Sequence, residues 1–207
     1  MSLHYILFDL DGTLLPMDQD RFIHTYIRTL STYMEHRGFE PQQFIDTVWH
    51  GTGRMFKNDG SKTNEAVFWQ TFEAAYGPDA RRHEPILNTF YHTHFSQVQS
   101  VCGYDPKSAE TVRQLKEMGF ALILATQPIF PAIATETRMK WAGLDQNDFL
   151  LYTTYENSSY SKPNPAYYLQ ILDKIGASPS QCLMVGNDAT EDLIAETLGM
   201  KVFLLTN

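Results

Sequence analysis

The segment HYILFDLDGT, residues 4–13, joins a compact apolar run to a turn that carries two carboxylates. Its first five residues are rich in aromatic and β-branched types, which predicts a buried strand ending where the turn residues begin. In an extended chain, side chains two positions apart point the same way, so Asp9 and Asp11 are expected to face one site. Gly12 permits a tight turn and a close approach of the backbone to an anion. The alternative interpretation is a turn that only ends the strand and caps the next segment.

After this segment, the chain has a region of helical patterns only, followed by a region in which predicted helices alternate with predicted strands. Apolar residues recur at helical spacing from Asp20 to Arg37, and similar patterns continue to about Gln99. Beyond Gly103, strands are predicted at Phe120–Ala125, Phe149–Tyr152, Cys182–Val185 and Lys201–Leu205, and helices at Ser108–Met118, Ile133–Trp141, Pro165–Ile175 and Asp192–Leu198. This alternation is typical of an α/β fold with a Rossmann-like, doubly wound parallel sheet. We predict a catalytic core of residues 1–16 and 100–207, interrupted by an all-helical cap subdomain at residues 17–99.

Composition limits the classes of partner. The chain has 207 residues, a formal net charge of -8 and 43% hydrophobic residues, which is typical of a globular protein with a substantial core. The acidic balance gives no reason to expect a nucleic acid or an anionic membrane, so a small soluble ligand is predicted, bound by a monomer or a homodimer. No apolar run is long enough for a membrane span and the start does not resemble a signal peptide, so a cytoplasmic location is expected. Cys102 and Cys182 are interpreted as small buried hydrophobic residues.

Three later segments carry polar residues that suit a phosphate or metal site: two segments that follow predicted strands and one predicted loop. Thr126 offers a hydroxyl donor for a phosphoryl oxygen, although such a residue also caps turns. Lys162 offers a positive charge for phosphate and carboxylates, whereas a single lysine is more commonly a solvated loop residue. Asp188 and Asp192 lie four apart, on one face of a first helical turn, where acidic residues also favour the helix dipole. Together with Asp9, these carboxylates need a cation, and oxygen ligands with few histidines favour Mg²⁺.

Taken in order, these motifs resemble the haloacid dehalogenase superfamily, whose phosphatases carry the signature DxDGT. The matching positions are Asp9-Leu10-Asp11-Gly12-Thr13, Thr126, Lys162 within Ser-Lys-Pro-Asn-Pro, and Gly186-Asn187-Asp188 with Asp192. The resemblance implies that Asp9 is a nucleophile forming an aspartyl-phosphate and that Asp11 is the general acid and base. It further implies a phosphate site formed by Asp11, Gly12, Thr126, Gln127 and Lys162.

The resemblance also implies a Mg²⁺ ion held by Asp9, the Asp11 carbonyl and Asp188, with Asp192 orienting the metal shell. Where many members have Gly-Asp, this chain has Gly186-Asn187-Asp188, so strict alignment gives Asn187 as the ligand, while charge favours Asp188. Family members commonly carry Asn at the position of Gln127. The cap would choose the substrate, with Arg54, Lys57 and Trp69 as candidate contacts, although a buried Trp69 and exposed cations are the simpler interpretation.

Three other functions stay open at this point. A phosphomutase would use the same nucleophile and return the phosphoryl group to a bound sugar. A dehalogenase also uses an aspartate nucleophile but has no need for the second aspartate of DxD or for a metal cluster. A non-catalytic module that binds a phosphorylated ligand would keep the charged residues without turnover.

Overall fold

The computed structural model describes residues 2–206, so positions 1 and 207, the outer bounds of the predicted core, lie outside the described residues. A five-stranded parallel sheet forms the centre, with strand order β3-β2-β1-β4-β5. Its strands are β1 (Tyr5–Phe8), β2 (Ala121–Leu124), β3 (Leu151–Tyr152), β4 (Cys182–Gly186) and β5 (Lys201–Leu204). The predicted α/β fold with a Rossmann-like, doubly wound parallel sheet is confirmed, since β1 lies between β2 and β4 and the chain crosses over in both directions from it.

Seven α-helices are described around and beside this sheet. They are α1 (Gln19–Glu35), α2 (Pro41–Phe56), α3 (Asn64–Tyr76), α4 (Glu84–Thr93), α5 (Pro106–Glu117), α6 (Ala132–Trp141) and α7 (Pro165–Ile175). Short 3₁₀ helices occupy Ala80–His83, Phe95–Val101, Gln146–Asp148, Pro179–Gln181 and Leu193–Leu198. No helix of the described part of the chain is long and apolar enough to cross a bilayer.

Local sequence chemistry starts and ends the helix that supports the predicted lysine loop. The Asn164 side chain accepts a hydrogen bond from the Ala166 amide at 3.0 Å, and Pro165 fills the first helical position, where no amide hydrogen is needed. Helix α7 ends at Gly176, whose φ of +66° is the left-handed conformation that favours glycine. The helix therefore begins immediately after the loop that carries Lys162.

Helices α1 to α4 all lie between β1 and β2 in the chain. The segments that enter and leave this helical block lie side by side, because the Gly103 amide donates to the Pro16 carbonyl at 2.7 Å and Met17 forms an isolated bridge with Cys102. The block packs on the core through a continuous apolar cluster that includes Phe8 of β1 and Phe22 of α1. This connectivity agrees with an insertion after the first strand, and the division into a core and a cap at residues 17–99 stays a prediction.

One predicted helix begins a residue later than expected and is of the 3₁₀ type. The helix expected over Asp192–Leu198 is a 3₁₀ helix over Leu193–Leu198. The Asp188 carboxylate accepts the amides of Thr190 and Glu191, and the carboxylate of Asp192 turns back to its own loop, so both side chains serve the turn. Local side-chain bonds of this kind compete with α-helical hydrogen bonding.

Candidate active site

The predicted site residues meet at the carboxyl ends of the three central strands. Asp9 directly follows β1, Thr126 lies two residues beyond β2, and Asn187 directly follows β4. Because the carboxyl ends of parallel strands lie at one edge of the sheet, these residues share the location where ligands of open α/β sheets bind. Lys162 reaches the same location from the loop before α7, as its contacts show.

Lys162 is the centre of a buried ion network. Its side chain has no solvent exposure, and its Nζ donates to Oδ1 of Asp9 at 2.9 Å and to Oδ1 of Asp192 at 2.8 Å. The other oxygen of Asp192 accepts the backbone amides of Asn187 and Asp188, both at 3.1 Å. Both carboxylates are nearly fully buried, so this lysine is an internal residue and not the solvated loop residue that the sequence alone also permitted.

Charge in this network is not balanced by the protein alone. Burial raises the pKa of Asp9 to about 6, because burial and the neighbouring carboxylates of Asp192 and Asp11 outweigh the nearby Lys162 ammonium. Burial works against the charge of Lys162 as well, but the Asp9 carboxylate and other anionic neighbours outweigh it and hold the Lys162 pKa well above its usual value. Near neutral pH one ammonium therefore faces two buried carboxylates, an arrangement that favours a further cation.

The Thr13 hydroxyl connects the second oxygen of Asp9 to the side chain of Asn187. The Thr13 hydroxyl is 3.2 Å from Asp9 Oδ2 and 3.0 Å from Asn187 Oδ1. Gly12, at a φ of +86°, makes this approach possible, since a Cβ there would lie only 2.4 Å from the Asn187 amide nitrogen. Two hard oxygen atoms, one from Asp9 and one from Asn187, thus converge on the same hydroxyl.

Two oxygen atoms of the site are buried without a hydrogen-bond partner. They are Oγ1 of Thr126, on a side chain with no exposure, and Oδ1 of Asp11. The backbone oxygen of Thr126 is by contrast fixed, because it accepts the Thr153 hydroxyl at 2.7 Å and the Tyr167 hydroxyl at 2.8 Å. Since buried polar atoms are rarely left unpaired, the free atoms are candidates for contact with a ligand.

Gln127 connects two loops of the site. Its Nε2 donates to the Lys162 carbonyl at 3.1 Å and to Oε1 of Glu191 at 2.9 Å, and its Oε1 accepts the Lys162 amide at 3.0 Å. Burial raises the pKa of Glu191 to about 7, although Lys162 and the bond from Gln127 oppose this. The side chain of Gln127 therefore contacts the protein itself, and its predicted contact with phosphate stays a prediction.

The oxygen atoms present suit a hard cation only in part. Among residues 2–206, no group of three or more His, Cys, Asp or Glu side chains is close enough together to hold a metal ion. Asp188 is exposed, and its Oδ1 accepts the amides of Thr190 at 2.7 Å and Glu191 at 3.0 Å. Asp9 and Asn187 instead offer converging oxygens, and Mg²⁺ needs only one or two carboxylates together with water and substrate oxygens. The donor set therefore fits Mg²⁺ if an amide oxygen completes it.

Comparison with known proteins decides the family. The sequence model of the haloacid dehalogenase-like hydrolases matches residues 3–195, which is most of the chain. The chain belongs to this family. The family resemblance drawn from Asp9, Thr126, Lys162 and Asp192 is confirmed, and this haloacid dehalogenase-like hydrolase is an enzyme by its family.

Three proteins similar to the hydrolase share 15–27% sequence identity with it. A protein of Bacillus cereus named pyrophosphatase PpaX is 27% identical over 203 residues, covering 97% of this chain and 82% of that protein. The solved 2-haloacid dehalogenase from Pseudomonas syringae pv. Tomato has a TM-score of 0.61 at 19% identity, covering 98% of this chain and 86% of that one. A haloacid dehalogenase family enzyme from Bacteroides thetaiotaomicron, solved in complex with magnesium and inorganic phosphate, has a TM-score of 0.56 at 15% identity, covering 99% and 95%. At these identities the structural likeness shows the fold alone.

Sequence reasoning missed several side chains that hold the site of this hydrolase together. The largest omission is Arg138 of α6, which donates from Nη1 to Oδ2 of Asp11 and has no exposed side-chain surface. Tyr168 of α7 was also missed, and its hydroxyl donates to the Glu191 carbonyl at 3.0 Å. No motif marks either residue, so no sequence signal pointed to them. Trp69 is buried while Arg54 and Lys57 are exposed, in agreement with the simpler interpretation of these cap residues.

Proposed function

We propose that this haloacid dehalogenase-like hydrolase is a Mg²⁺-dependent phosphatase that hydrolyses a small phosphate monoester. The observation that carries the proposal is the buried pair of Lys162 and Asp9 at the carboxyl end of the sheet, with 2.9 Å between Nζ and Oδ1. A carboxylate fixed beside a permanent cation suits a nucleophile that must meet an anionic phosphoryl group. The name of the Bacillus cereus relative and the ligands of the Bacteroides thetaiotaomicron enzyme support chemistry on phosphate.

In the first half of the proposed reaction, an Asp9 oxygen attacks phosphorus and forms an aspartyl-phosphate while the bond to the leaving oxygen breaks. Asp11, in its protonated form, gives its proton to the leaving alkoxide. Thr13 and Lys162 orient the two Asp9 oxygens before the attack. Orientation of this kind lowers the barrier because less motion has to be restricted in the transition state.

In the second half, water attacks the phosphorus of the aspartyl-phosphate and Asp11, now a carboxylate, takes the proton of that water. Inorganic phosphate leaves and the Asp9 carboxylate is restored. Lys162 and the unpartnered hydroxyl of Thr126 are proposed to contact phosphoryl oxygens in both halves. Hydrogen-bond donors that are already in place stabilise the charge that develops in the transition state, because they need not move during the reaction. This stabilisation supplies a large part of the rate acceleration of many enzymes.

Mg²⁺, when bound, would neutralise negative charge on the transferring phosphoryl group. We propose that Asp9, the Asp11 carbonyl and one side chain from the Asn187-Asp188 pair hold it. The shared contact with Thr13 supports Asn187, whereas the Asp188 carboxylate is engaged with its own loop. The charge argument from the sequence favoured Asp188. Asp192, which binds Lys162 and the loop amides, would orient the surrounding groups.

The first test of the function measures release of inorganic phosphate and p-nitrophenol from p-nitrophenyl phosphate, with Mg²⁺ and with a chelator. We expect turnover with Mg²⁺ and a loss of at least about 100-fold after chelation, because the carboxylate-rich site repels an anionic ester without a cation. A panel of sugar and other alkyl phosphates, together with inorganic pyrophosphate, then identifies the substrate class. Absence of turnover on every compound would contradict the phosphatase, and transfer of phosphate to a sugar without its release would indicate a mutase.

A second test assigns the metal ligand by comparing Asn187→Ala with Asp188→Ala. We expect Asn187→Ala to raise the Mg²⁺ concentration for half-maximal activity by about 10- to 100-fold, a size typical of weakened metal sites. Asp188→Ala is expected to raise it by less than about 10-fold. The opposite order would make Asp188 the direct ligand, and no change in either variant would remove this loop from the metal site.

A further inference from the structure

Arg138 is a buried cation next to the predicted acid and base of the site. It lies on α6, its side chain has no solvent exposure, and its ion-pair partner among the described residues is Asp11, through Nη1 and Oδ2. The remaining nitrogens have only long contacts of 3.4 Å, to the Ala134 carbonyl and to the Thr135 hydroxyl of the same helix. Asp11 is therefore the strong polar partner of this guanidinium.

Aromatic rings close the space around the guanidinium. The Phe130 ring centroid lies 4.4 Å from its central carbon and the Phe22 centroid lies 6.0 Å away. Phe22 belongs to the helical block and Phe130 to the loop after β2, so aromatic rings from two separate parts of the chain lie near the guanidinium. Enclosure in apolar surroundings restricts the guanidinium to one orientation and excludes competing water.

Stability alone does not explain this pair. Apolar residues that fill the place of a buried ion pair are often as stabilising or more so, because two charges must be taken out of water. Arg138 stands in the last turn of α6 with its side chain fully buried beside Phe22 and Phe130, where Leu or Met would pack without that penalty. The arrangement therefore points to a use for a fixed Asp11 carboxylate.

The two oxygens of Asp11 are in different states. Oδ2 is bound by Arg138, whereas Oδ1 is buried and has no hydrogen-bond partner. The residue that follows is Gly12, whose φ of +86° places the Asp11 side chain at a sharp turn of the backbone. A carboxylate bound through one oxygen has a defined direction for the other.

We propose that Arg138 is a positioning residue, which holds Asp11 through Oδ2 so that Oδ1 faces the proton it transfers in the reaction. The inference rests on the proposed phosphatase function, in which Asp11 exchanges a proton with the leaving oxygen and with water. A second carboxylate two residues from the nucleophile is useful only if its free oxygen is held at hydrogen-bond distance from the leaving group.

The test uses the dependence of kcat/KM on the leaving group. We compare the parent with Arg138→Gln and Arg138→Lys on p-nitrophenyl phosphate and on an alkyl phosphate that the parent hydrolyses. A p-nitrophenolate leaves without a proton, whereas an alkoxide needs one. We therefore expect Arg138→Gln to lose about 10- to 100-fold on the alkyl ester and less than about 3-fold on the aryl ester. Arg138→Lys keeps the charge but not the planar guanidinium. We expect its kcat/KM on the alkyl ester to lie between that of Arg138→Gln and that of the parent.

A double variant shows whether Arg138 acts through Asp11. Asp11→Asn should reproduce the loss on the alkyl ester, and adding Arg138→Gln to it should change kcat/KM by less than about 2-fold. This double variant lacks both charges, so it serves as the comparison if Arg138→Gln alone fails to fold. The matched control is Arg113→Gln, which alters an exposed ion pair with Glu117 and should leave both substrates unaffected.

Three results would overturn the inference. They are equal losses on both esters, parent-like activity of Arg138→Gln, and a further large loss when Arg138→Gln is added to Asp11→Asn. If Arg138→Gln does not fold, two results together overturn the inference. In Arg138→Lys, the ratio of kcat/KM on the alkyl ester to kcat/KM on the aryl ester would equal that of the parent, and the double variant would have a much lower kcat/KM than Asp11→Asn alone. A parent without Mg²⁺-dependent turnover would instead overturn the phosphatase function and this inference with it, so the two failures are distinguishable.

Discussion

Asp9→Asn is expected to lower kcat on any phosphate ester by on the order of 10³-fold or more, the largest effect of any single substitution. An amide of the same shape cannot supply the anionic oxygen that attacks phosphorus. The measurement is phosphate release under saturating Mg²⁺, combined with mass spectrometry of acid-quenched enzyme. In the parent, the peptide containing Asp9 should gain the mass of a phosphoryl group, and in Asp9→Asn it should not.

The loss should not come from unfolding. Because burial raises the Asp9 pKa from its unfolded value of 3.8 to about 6, the contribution of this group to stability is present at low pH and is lost as pH rises through 6. Without metal at pH 7, the ionised Asp9 carboxylate therefore disfavours the folded state. Asp9→Asn removes that charge and leaves Lys162 paired with Asp192, so it should unfold at the same temperature as the parent or a higher one.

The control for this experiment is Asp173→Asn, the same chemical change at an exposed position of α7. It should leave both turnover and thermal stability unchanged. Persistent activity and persistent labelling in Asp9→Asn would contradict the assignment of Asp9 as nucleophile. A phosphoryl group on a different peptide of the parent would identify the residue that takes its place.

The sheet could be predicted from sequence because its strands are buried on both faces. Strands such as β2 (Ala121–Leu124) then appear as short continuous apolar runs between turn residues, and the structure has a strand at each of the five predicted places. Strand order was predicted only as doubly wound, since the pattern of one strand carries no information about its neighbour. A helix was predicted at Asp192–Leu198 without its type, because the length and composition of so short a segment do not distinguish a 3₁₀ helix from an α-helix.

The site was predictable where a motif joined residues close in sequence, and less so where tertiary packing decided. Asp9 and Lys162 are brought together across 153 positions, and only their place at strand ends and in a known motif order indicated it. Arg138 and Asp11 are separated by 127 positions, and nothing in the helix pattern of α6 distinguishes a buried arginine from a surface one. The hydrogen bonds between the Gln127 amide and the loop of Lys162 were not predicted, because they depend on the direction of the side chain, and the predicted contact of Gln127 with phosphate stays a prediction.

The second large effect is expected from Lys162→Met, which should reduce both stability and activity. Met has nearly the same length but no charge, so the buried carboxylates of Asp9 and Asp192 would lose the ammonium that lies 2.9 Å and 2.8 Å from them. Breaking a buried pair by removing one partner typically costs about 3–5 kcal/mol. We expect a drop of that size in the free energy of unfolding, measured in urea at pH 7 with a chelator.

Activity should fall by about 10²- to 10³-fold in Lys162→Met, measured well below its unfolding temperature, because the donor for the phosphoryl oxygens is lost. The control is Lys116→Met, which removes an ion pair with Asp148 of similar length, 2.7 Å, at a partly exposed site. Exposed pairs contribute about 0–1 kcal/mol, so this control should keep nearly all stability and activity. If Lys162→Met lost only stability and kept its kcat/KM, Lys162 would be a structural counterion of Asp9 and Asp192, and the phosphate would have to be held by Thr126 and the backbone of the Gly12 turn. Equal stability losses in the two methionine variants would contradict the buried pair itself.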